Sequence, residues 1–422
     1  MSVNMTKLRF IHTADLHLDS PFRGLSSWNT DLAARLKDAA FKSFSRIIDI
    51  CIEQQADFLI IAGDIFESDN KSLTAQLKFV AELKRLSDKG ISSYFVCGNH
   101  DPVKSWLDII QLPENAYRFD SSEVEHHTYK KDNKPVADIY GISFGGKAVK
   151  ENLALRYRLK DNSGRFSVAV LHGTVGAAGP HENYAPFRIS DVKSRGFDYW
   201  ALGHIHKRMV INERDPVILY PGNPQGRDFG ETGSKGCTLV EVDRNNRITT
   251  RFIPVQLIRF EEIEISLGEE DRTDSLADKI QKARLNIEDN DDNVSCMLRI
   301  NITGRTPLHS YLNKPGETEQ LIGMFNEGQL EHGVFTWIDQ LKVNTSPLID
   351  INSVAKGNDF TAEIIKIFKK YETDSRGLAD IFKLANDEIS YSILKEVNEL
   401  SIQEQREILE KAKWMLLDQI LR

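Results

Sequence analysis

Five short polar clusters, each following an apolar run, carry residue types that hold metal ions. They are Asp15-Leu16-His17, Gly63-Asp64, Gly98-Asn99-His100-Asp101, His172-Gly173 and Gly203-His204-Ile205-His206. In extended chain, residues i and i+2 face one side. Asp15 and His17 can therefore reach one ion together, and so can His204 and His206. The chain has 11 histidines, and five of them (His17, His100, His172, His204, His206) fall in these clusters. The pooled donors are carboxylates, imidazoles and one amide oxygen, with no thiolate. Such a set suits Mn²⁺, Fe²⁺ or Zn²⁺ and disfavours a structural cysteine-type zinc site. The donors outnumber what one ion uses. Two ions sharing a bridging carboxylate fit better, at the ~3.5–4 Å spacing of dinuclear hydrolases. Singly, each cluster has a plain structural reading, such as a turn at Gly98-Asn99. Their conjunction is what points to chemistry.

These clusters need a scaffold that delivers strand ends to one place. Leu8 to Thr13, Phe58 to Ala62, Ser93 to Cys97, Phe166 to Leu171, Tyr199 to Leu202 and Val217 to Tyr220 are short apolar runs. Between the first three, Leu32, Leu36, Ala40, Phe44, Ile47, Ile48 and Cys51 share one helical stripe, and Leu77, Val80, Leu83 and Leu86 share another. Apolar strands ending in glycine or polar residues predict a layered α/β or β-sandwich core over 1–254. Open α/β sheets place ligands at such strand ends. From residue 255 the texture changes to β-α-β-α-β, a second domain over 255–350. Residues 351–422 form a third region. It is helical from Phe360 to Leu421, with no proline in that stretch.

Composition bounds the class. The chain has 422 residues, 41% hydrophobic and 27% charged, which excludes a disordered or fibrous chain. No run approaches the ~18 apolar residues of a membrane span, and no secretory signal is evident. Cys51, Cys97, Cys237 and Cys296 are scattered without a CxxC pair. A cytoplasmic protein with reduced thiols is expected. Net charge is −8, which argues against a simple basic nucleic-acid binder. Yet residues 1–254 carry +3, against −9 for 255–353 and −2 for 354–422. A polyanionic substrate therefore stays open for the first domain.

The ordered clusters DxH, GD, GNHD, HG and GHxH resemble those of the calcineurin-like metallophosphoesterases. The flanks Ile11 to Leu18, Gly63 to Glu67, Tyr220-Pro221-Gly222-Asn223-Pro224 and Lys235 to Val240 are similar to the Mre11/SbcD DNA-repair nuclease branch. Leu18-Asp19-Ser20-Pro21-Phe22 is similar to its bacterial YhaO-type members. The resemblance implies a four-layer α/β/β/α core, a smaller α+β capping domain that recognises DNA, and a helical C-terminal tail. It implies that Asp15, His17, Asp64 and His206 hold one ion. Asp64, Asn99, His172 and His204 would hold the other, with Mn²⁺ as the expected metal. His100 would contact the scissile phosphate and donate a proton to the leaving oxygen. Asp101 would orient His100. Glu67 departs from members that carry histidine three residues after the bridging aspartate, and a glutamate there could still orient His100.

The expected activity is a two-metal DNA exonuclease, with endonuclease action as a further expectation, in repair or end processing. Arg23, Lys104, Asn223 and Arg227 are candidate substrate contacts. The resemblance also implies an SMC-like ATPase partner of the Rad50/SbcC kind, docked on the helical tail, and a homodimer. Two other readings stay open. One is a phosphodiesterase or phosphatase for a small nucleotide or phosphoprotein. The other is a scaffold for the ATPase with a vestigial metal site.

Overall fold

A computed structural model describes residues 6–20, 30–67, 72–107, 109–160, 164–176, 184–289, 294–331, 333–374, 377–378, 381–382 and 400–420. The chain divides into two compact units. One comprises Met1–Ile263, Ala283–Ile300 and Ile322–Gln340, and the other Glu264–Lys282, Asn301–Leu321 and Leu341–Arg422. All five polar clusters lie in the first.

Two six-stranded sheets build that first unit. One contains β1 (Thr6–Thr13), β2 (Phe58–Ala62), β3 (Ser92–Val96), β4 (Ala116–Arg118), β11 (Gly236–Asp243) and β12 (Ile248–Pro254), in the order β12-β11-β1-β2-β3-β4. The other contains β5 (Glu125–Lys131), β6 (Lys134–Ile142), β7 (Phe166–His172), β8 (Tyr199–Gly203), β9 (Met209–Asn212) and β10 (Val217–Tyr220), in the order β5-β6-β7-β8-β10-β9. Strands β1, β2 and β3 run parallel, as do β6, β7 and β8.

The apolar runs are continuous because both faces of each central strand are covered. Phe10, Phe58, Ile60 and Tyr94 face Phe166, Val168, Val170 and Tyr199 between the sheets. Ile11, Leu59, Ile61 and Phe95 turn the other way, onto helices α1 (Thr30–Glu53) and α2 (Leu73–Ser87), where they meet Phe44, Ile47 and Phe79. Ser72 starts α2 by accepting a hydrogen bond from Ala75 N at 3.2 Å. The outer face of the second sheet packs Ala169, Leu171, Trp200 and Leu202 against Leu153, Ala154, Tyr157 and Val192. Those partners belong to the 3₁₀ turn Leu153–Arg156, its flank, and the short helix Ile189–Lys193. The result is helices, sheet, sheet, helices: the four-layer α/β class.

A third sheet is ordered β13 (Ile258–Ser266), β14 (Ser295–Arg305), β15 (Thr336–Ser346). Within the first unit, Ile258, Phe260, Met297 and Phe335 pack on Leu32, Leu36 and Ala39 of α1. Within the second unit, helices Phe360–Thr373 and Ile402–Ile420 are tied by Lys413, whose Nζ lies 2.6 Å from Glu372. The expected helical region includes these two helices, with Asp374, Leu400 and Ser401 not helical; residues 383–399 and Leu421 lie outside the described residues. No helix among the described residues is long and apolar enough to cross a membrane. All four cysteines are buried and free.

Candidate metal centre

Each polar cluster sits at the C-terminal end of a parallel strand. Asp15 and His17 follow β1, Asp64 follows β2, Asn99 and His100 follow β3, His172 ends β7, and His204 and His206 follow β8. Three of these strands belong to one sheet and two to the other, so the donors meet where the two sheets share an edge. The loops are bound to one another by their main chains. Asp15 N donates to Gly63 O at 3.0 Å, His17 N to Asp64 O at 3.1 Å, and His204 N to Asp15 Oδ1 at 2.9 Å.

Four of the expected donors occupy left-handed backbone: Asp15 (φ 55°), His17 (φ 43°), Asp64 (φ 50°) and His204 (φ 103°). Residues with a Cβ reach this region at a cost, and functional sites are where such strain concentrates. The motif glycines leave room for the donors. A Cβ on Gly98 would overlap the Asp64 carboxylate and come within 2.8 Å of His172 Nε2.

The expected donor atoms form two groups, and His17 also belongs to a third with Glu67 and His100. Atoms of Asp15, His17 and His206 lie within 4.8 Å of one another, as do those of Asp64, His172 and His204. Asp64 Oδ2 is 3.3 Å from His172 Nε2 and 4.0 Å from His17 Nε2, so one oxygen faces both groups. Asp64 Oδ1 accepts from His100 N at 2.9 Å. Asn99 Oδ1 is 3.0 Å from His172 Nε2. Asp15, His17, Asp64, Asn99 and His172 are buried, and His204 and His206 are half-buried.

The geometry fits cations. His17 Nδ1 lies 3.1 Å from Glu67, and His206 Nδ1 lies 2.6 Å from Glu231. Both Nδ1 atoms therefore donate to carboxylates, and both Nε2 atoms turn lone pairs toward each other, 3.2 Å apart. His172 Nδ1 donates to Ala62 O at 2.9 Å, which turns its Nε2 lone pair onto the Asn99 and Asp64 oxygens. Acceptors facing acceptors in a buried place need a positive charge between them. In the metal-free protein a proton on His172 supplies that charge beside Asp64. Burial pulls the His172 pKa down, but the Asp64 charge and hydrogen bond overcome it and raise it to about 9. His17 stays neutral, because burial and the nearby Arg227 lower its pKa to about 3. Burial opposes ionisation of Glu67 and Glu231, yet hydrogen bonds from His100 and His17, and from His206, hold both below the usual carboxylate range.

His100 stands at the rim, with 35% of its side chain exposed, and its Nδ1 is 2.5 Å from Glu67 Oε1. Its partner is thus Glu67, not Asp101. The Asp101 carboxylate instead accepts from Gly98 N at 2.8 Å and Ile65 N at 3.2 Å, because those buried N–H groups need acceptors. Asp101 thereby ties together the loops that carry Asp64 and Asn99.

The centre opens into a cleft of about 820 Å³, whose lining includes His100, His204, His206, Lys147, Lys207, Arg227 and Lys235. The candidate substrate contacts fare differently. Arg23 lies outside the described residues. Lys104 is exposed but is not part of the cleft lining. Asn223 is buried, and its amide donates to Glu231 and Gln225 O, which removes it from the cleft. Arg227 borders the cleft, but its guanidinium lies on Glu67 and Glu231. Sequence reasoning missed Glu231 altogether. It sits eight residues after Asn223 in a polar loop with no metal-ligand spacing.

Residues 8–208 match the calcineurin-like phosphoesterase family, and residues 260–346 match the middle domain of the metallophosphoesterase YhaO. The metallophosphoesterase YhaO of Bacillus subtilis is 35% identical over 333 residues, covering 79% of this chain and 81% of that protein. The DNA double-strand break repair protein Mre11 of Sulfurisphaera tokodaii is 30% identical over 251 residues, 56% of this chain and 60% of that protein. The D chain of the nuclease SbcCD of Bacillus subtilis is 24% identical over 283 residues, 57% of this chain and 68% of that protein. The chain belongs to the calcineurin-like metallophosphoesterases, metal-dependent phosphoester hydrolases, and within them it is YhaO-like.

Proposed function

We propose that this chain is a two-metal DNA nuclease, an exonuclease with endonuclease capacity, acting in DNA repair or end processing. The observation that carries the reading is the pair of donor groups faced by one Asp64 oxygen, with His100 at the rim of a cleft lined by both basic and acidic side chains. Asp15, His17, Asp64 and His206 hold one ion, and Asp64, Asn99, His172 and His204 hold the other. When bound, divalent ions, Mn²⁺ in this reading, supply Lewis acidity at the phosphate and acidify the attacking water. Asn99 contributes a neutral oxygen, which keeps the centre from being over-neutralised. His100 directs Nδ1–H at Glu67, and against the effect of burial Glu67 and Asp64 raise its pKa, so as the imidazolium it would deliver the Nε2 proton to the leaving oxygen.

Lys147 and Lys207 border the cleft, are exposed, and suit a phosphate backbone, which positions without reading sequence. The Mre11 relative is named a DNA double-strand break repair protein and the SbcCD relative a nuclease, which supports the same substrate. Residues 255–350 serve as a capping domain over DNA in this reading, with the nuclease domain in 1–254. The helical region 351–422 docks an SMC-like ATPase of the Rad50/SbcC kind, and the nuclease works as a cytoplasmic homodimer. Phe360 (72% exposed) and Met415 (67% exposed) on the two C-terminal helices support a docking role.

The test is a metal-by-substrate screen on the full chain, with and without its ATPase partner. Mn²⁺ is expected to support degradation of DNA ends, and Asp64→Ala to abolish it. Turnover of a mononucleotide or phosphopeptide with no DNA cleavage in either condition overturns the DNA assignment.

A further inference from the structure

We infer that Arg227 and Glu231, in the loop between β10 and β11, are positioning residues for one half of the metal centre, the half built from Asp15, His17 and His206. The inference rests on the two-ion reading above. It comes from a chain of contacts joining segments far apart in sequence. Glu231 Oε1 is 2.6 Å from His206 Nδ1, while Glu231 Oε2 accepts from Arg227 N at 3.0 Å and Asn223 Nδ2 at 2.7 Å. The Arg227 guanidinium places Nη2 3.2 Å from Glu231 Oε1 and Nη1 3.3 Å from Glu67 Oε2. That same Glu67 oxygen is 3.1 Å from His17 Nδ1. One guanidinium thus bridges the two carboxylates standing behind the two imidazoles whose Nε2 atoms face each other.

The physical role follows from the charges. A carboxylate behind a metal-binding histidine fixes its tautomer and ring orientation. Two such carboxylates drawn toward one centre repel each other. A planar guanidinium offers N–H donors in two directions and can hold both, whereas an ammonium is a single point charge. The other half of the centre is built differently. His172 Nδ1 donates to the main-chain oxygen of Ala62, the last residue of β2, and needs no side chain behind it. One half is therefore braced by sheet backbone and the other by a charged loop. Substitutions in that loop must weaken one ion and spare the other. General loss of structure would weaken both.

The experiment is Mn²⁺ titration of the full chain, following free Mn²⁺ by electron paramagnetic resonance. Wild type is expected to take up two equivalents. In Arg227→Gln and Glu231→Ala, one equivalent is expected to weaken by roughly 10–100-fold while the other keeps its wild-type affinity. Arg227→Lys is expected to fall between wild type and Arg227→Gln. Glu231→Gln, which still offers His206 an acceptor, is expected to recover part of what Glu231→Ala loses. Wild-type affinity for both equivalents in Arg227→Gln and Glu231→Ala overturns the inference, and so does equal weakening of both. A wild type that takes up fewer than two equivalents overturns the two-ion reading itself, and this inference with it.

Discussion

The hydrogen-bond partners of the site histidines separate two roles. His17, His172 and His206 each commit Nδ1 to a carboxylate or a carbonyl and turn Nε2 inward. His100 also commits Nδ1, to Glu67, and stands at the cleft rim; it shares a donor group with His17 and Glu67, but not with Asp15 and His206 or with Asp64, His172 and His204. Removing it should leave metal uptake intact and damage only turnover. His100→Ala is expected to bind the wild-type number of Mn²⁺ equivalents while kcat falls by roughly 10²–10⁴-fold, the usual worth of a positioned proton donor. Parallel metal titration and single-turnover kinetics check this, and loss of bound metal in the variant contradicts it. Gly98 makes the opposite case. It carries no donor atom, yet a Cβ there would occupy the space of the Asp64 carboxylate and crowd His172 Nε2. Gly98→Ala is expected to lose metal binding as well as activity, read in the same titration.

The strand ends were legible in the sequence because both faces of β1, β2, β3, β7 and β8 are buried, leaving apolar runs that stop where the donors begin. Strand β5, Glu-His-His-Thr-Tyr-Lys-Lys, shows no such run. It is half-buried along most of its length, and its polar residues hide its pairing with β6. The Arg227–Glu231 brace was illegible for another reason: its partners, Glu67, His17 and His206, are joined only by folding. Glu67 was within reach of the sequence as a residue that could orient His100, and it, not Asp101, is the partner. The element scale also explains a motif residue with no chemistry. Gly203 ends β8 where the second sheet touches the first, and a Cβ there would overlap the carbonyl of Ala62 at the end of β2. Gly203→Ala is expected to push the sheet edges apart and destabilise the protein by about 1–3 kcal/mol or more. Denaturant unfolding checks this, and an unchanged midpoint argues that the edges do not meet there.

The buried imidazoles also give the whole molecule a pH profile whose alkaline arm metal should remove. His12 and His17 are pulled down to about 3, both chiefly by burial. The unfolded chain binds those protons near the ordinary value of 6.5, so their contribution is present above 6.5 and is lost as pH falls toward 3. His172 has the opposite sign. Its folded pKa is raised from 6.5 to about 9 by Asp64, against the effect of burial, so its contribution is full below 6.5 and is lost as pH rises through 9. From these three groups the metal-free protein should be most stable near pH 6.5 and should lose melting temperature toward pH 9. Divalent ions replace the His172 proton and bind more tightly as it leaves, so saturating Mn²⁺ should remove the alkaline decline. Thermal melts from pH 6 to 9, with chelator and with Mn²⁺, read both arms. His172→Gln, which cannot carry the proton, should flatten the alkaline arm of the chelated protein. A decline that persists unchanged in that variant would mean that His172 is not the group responsible.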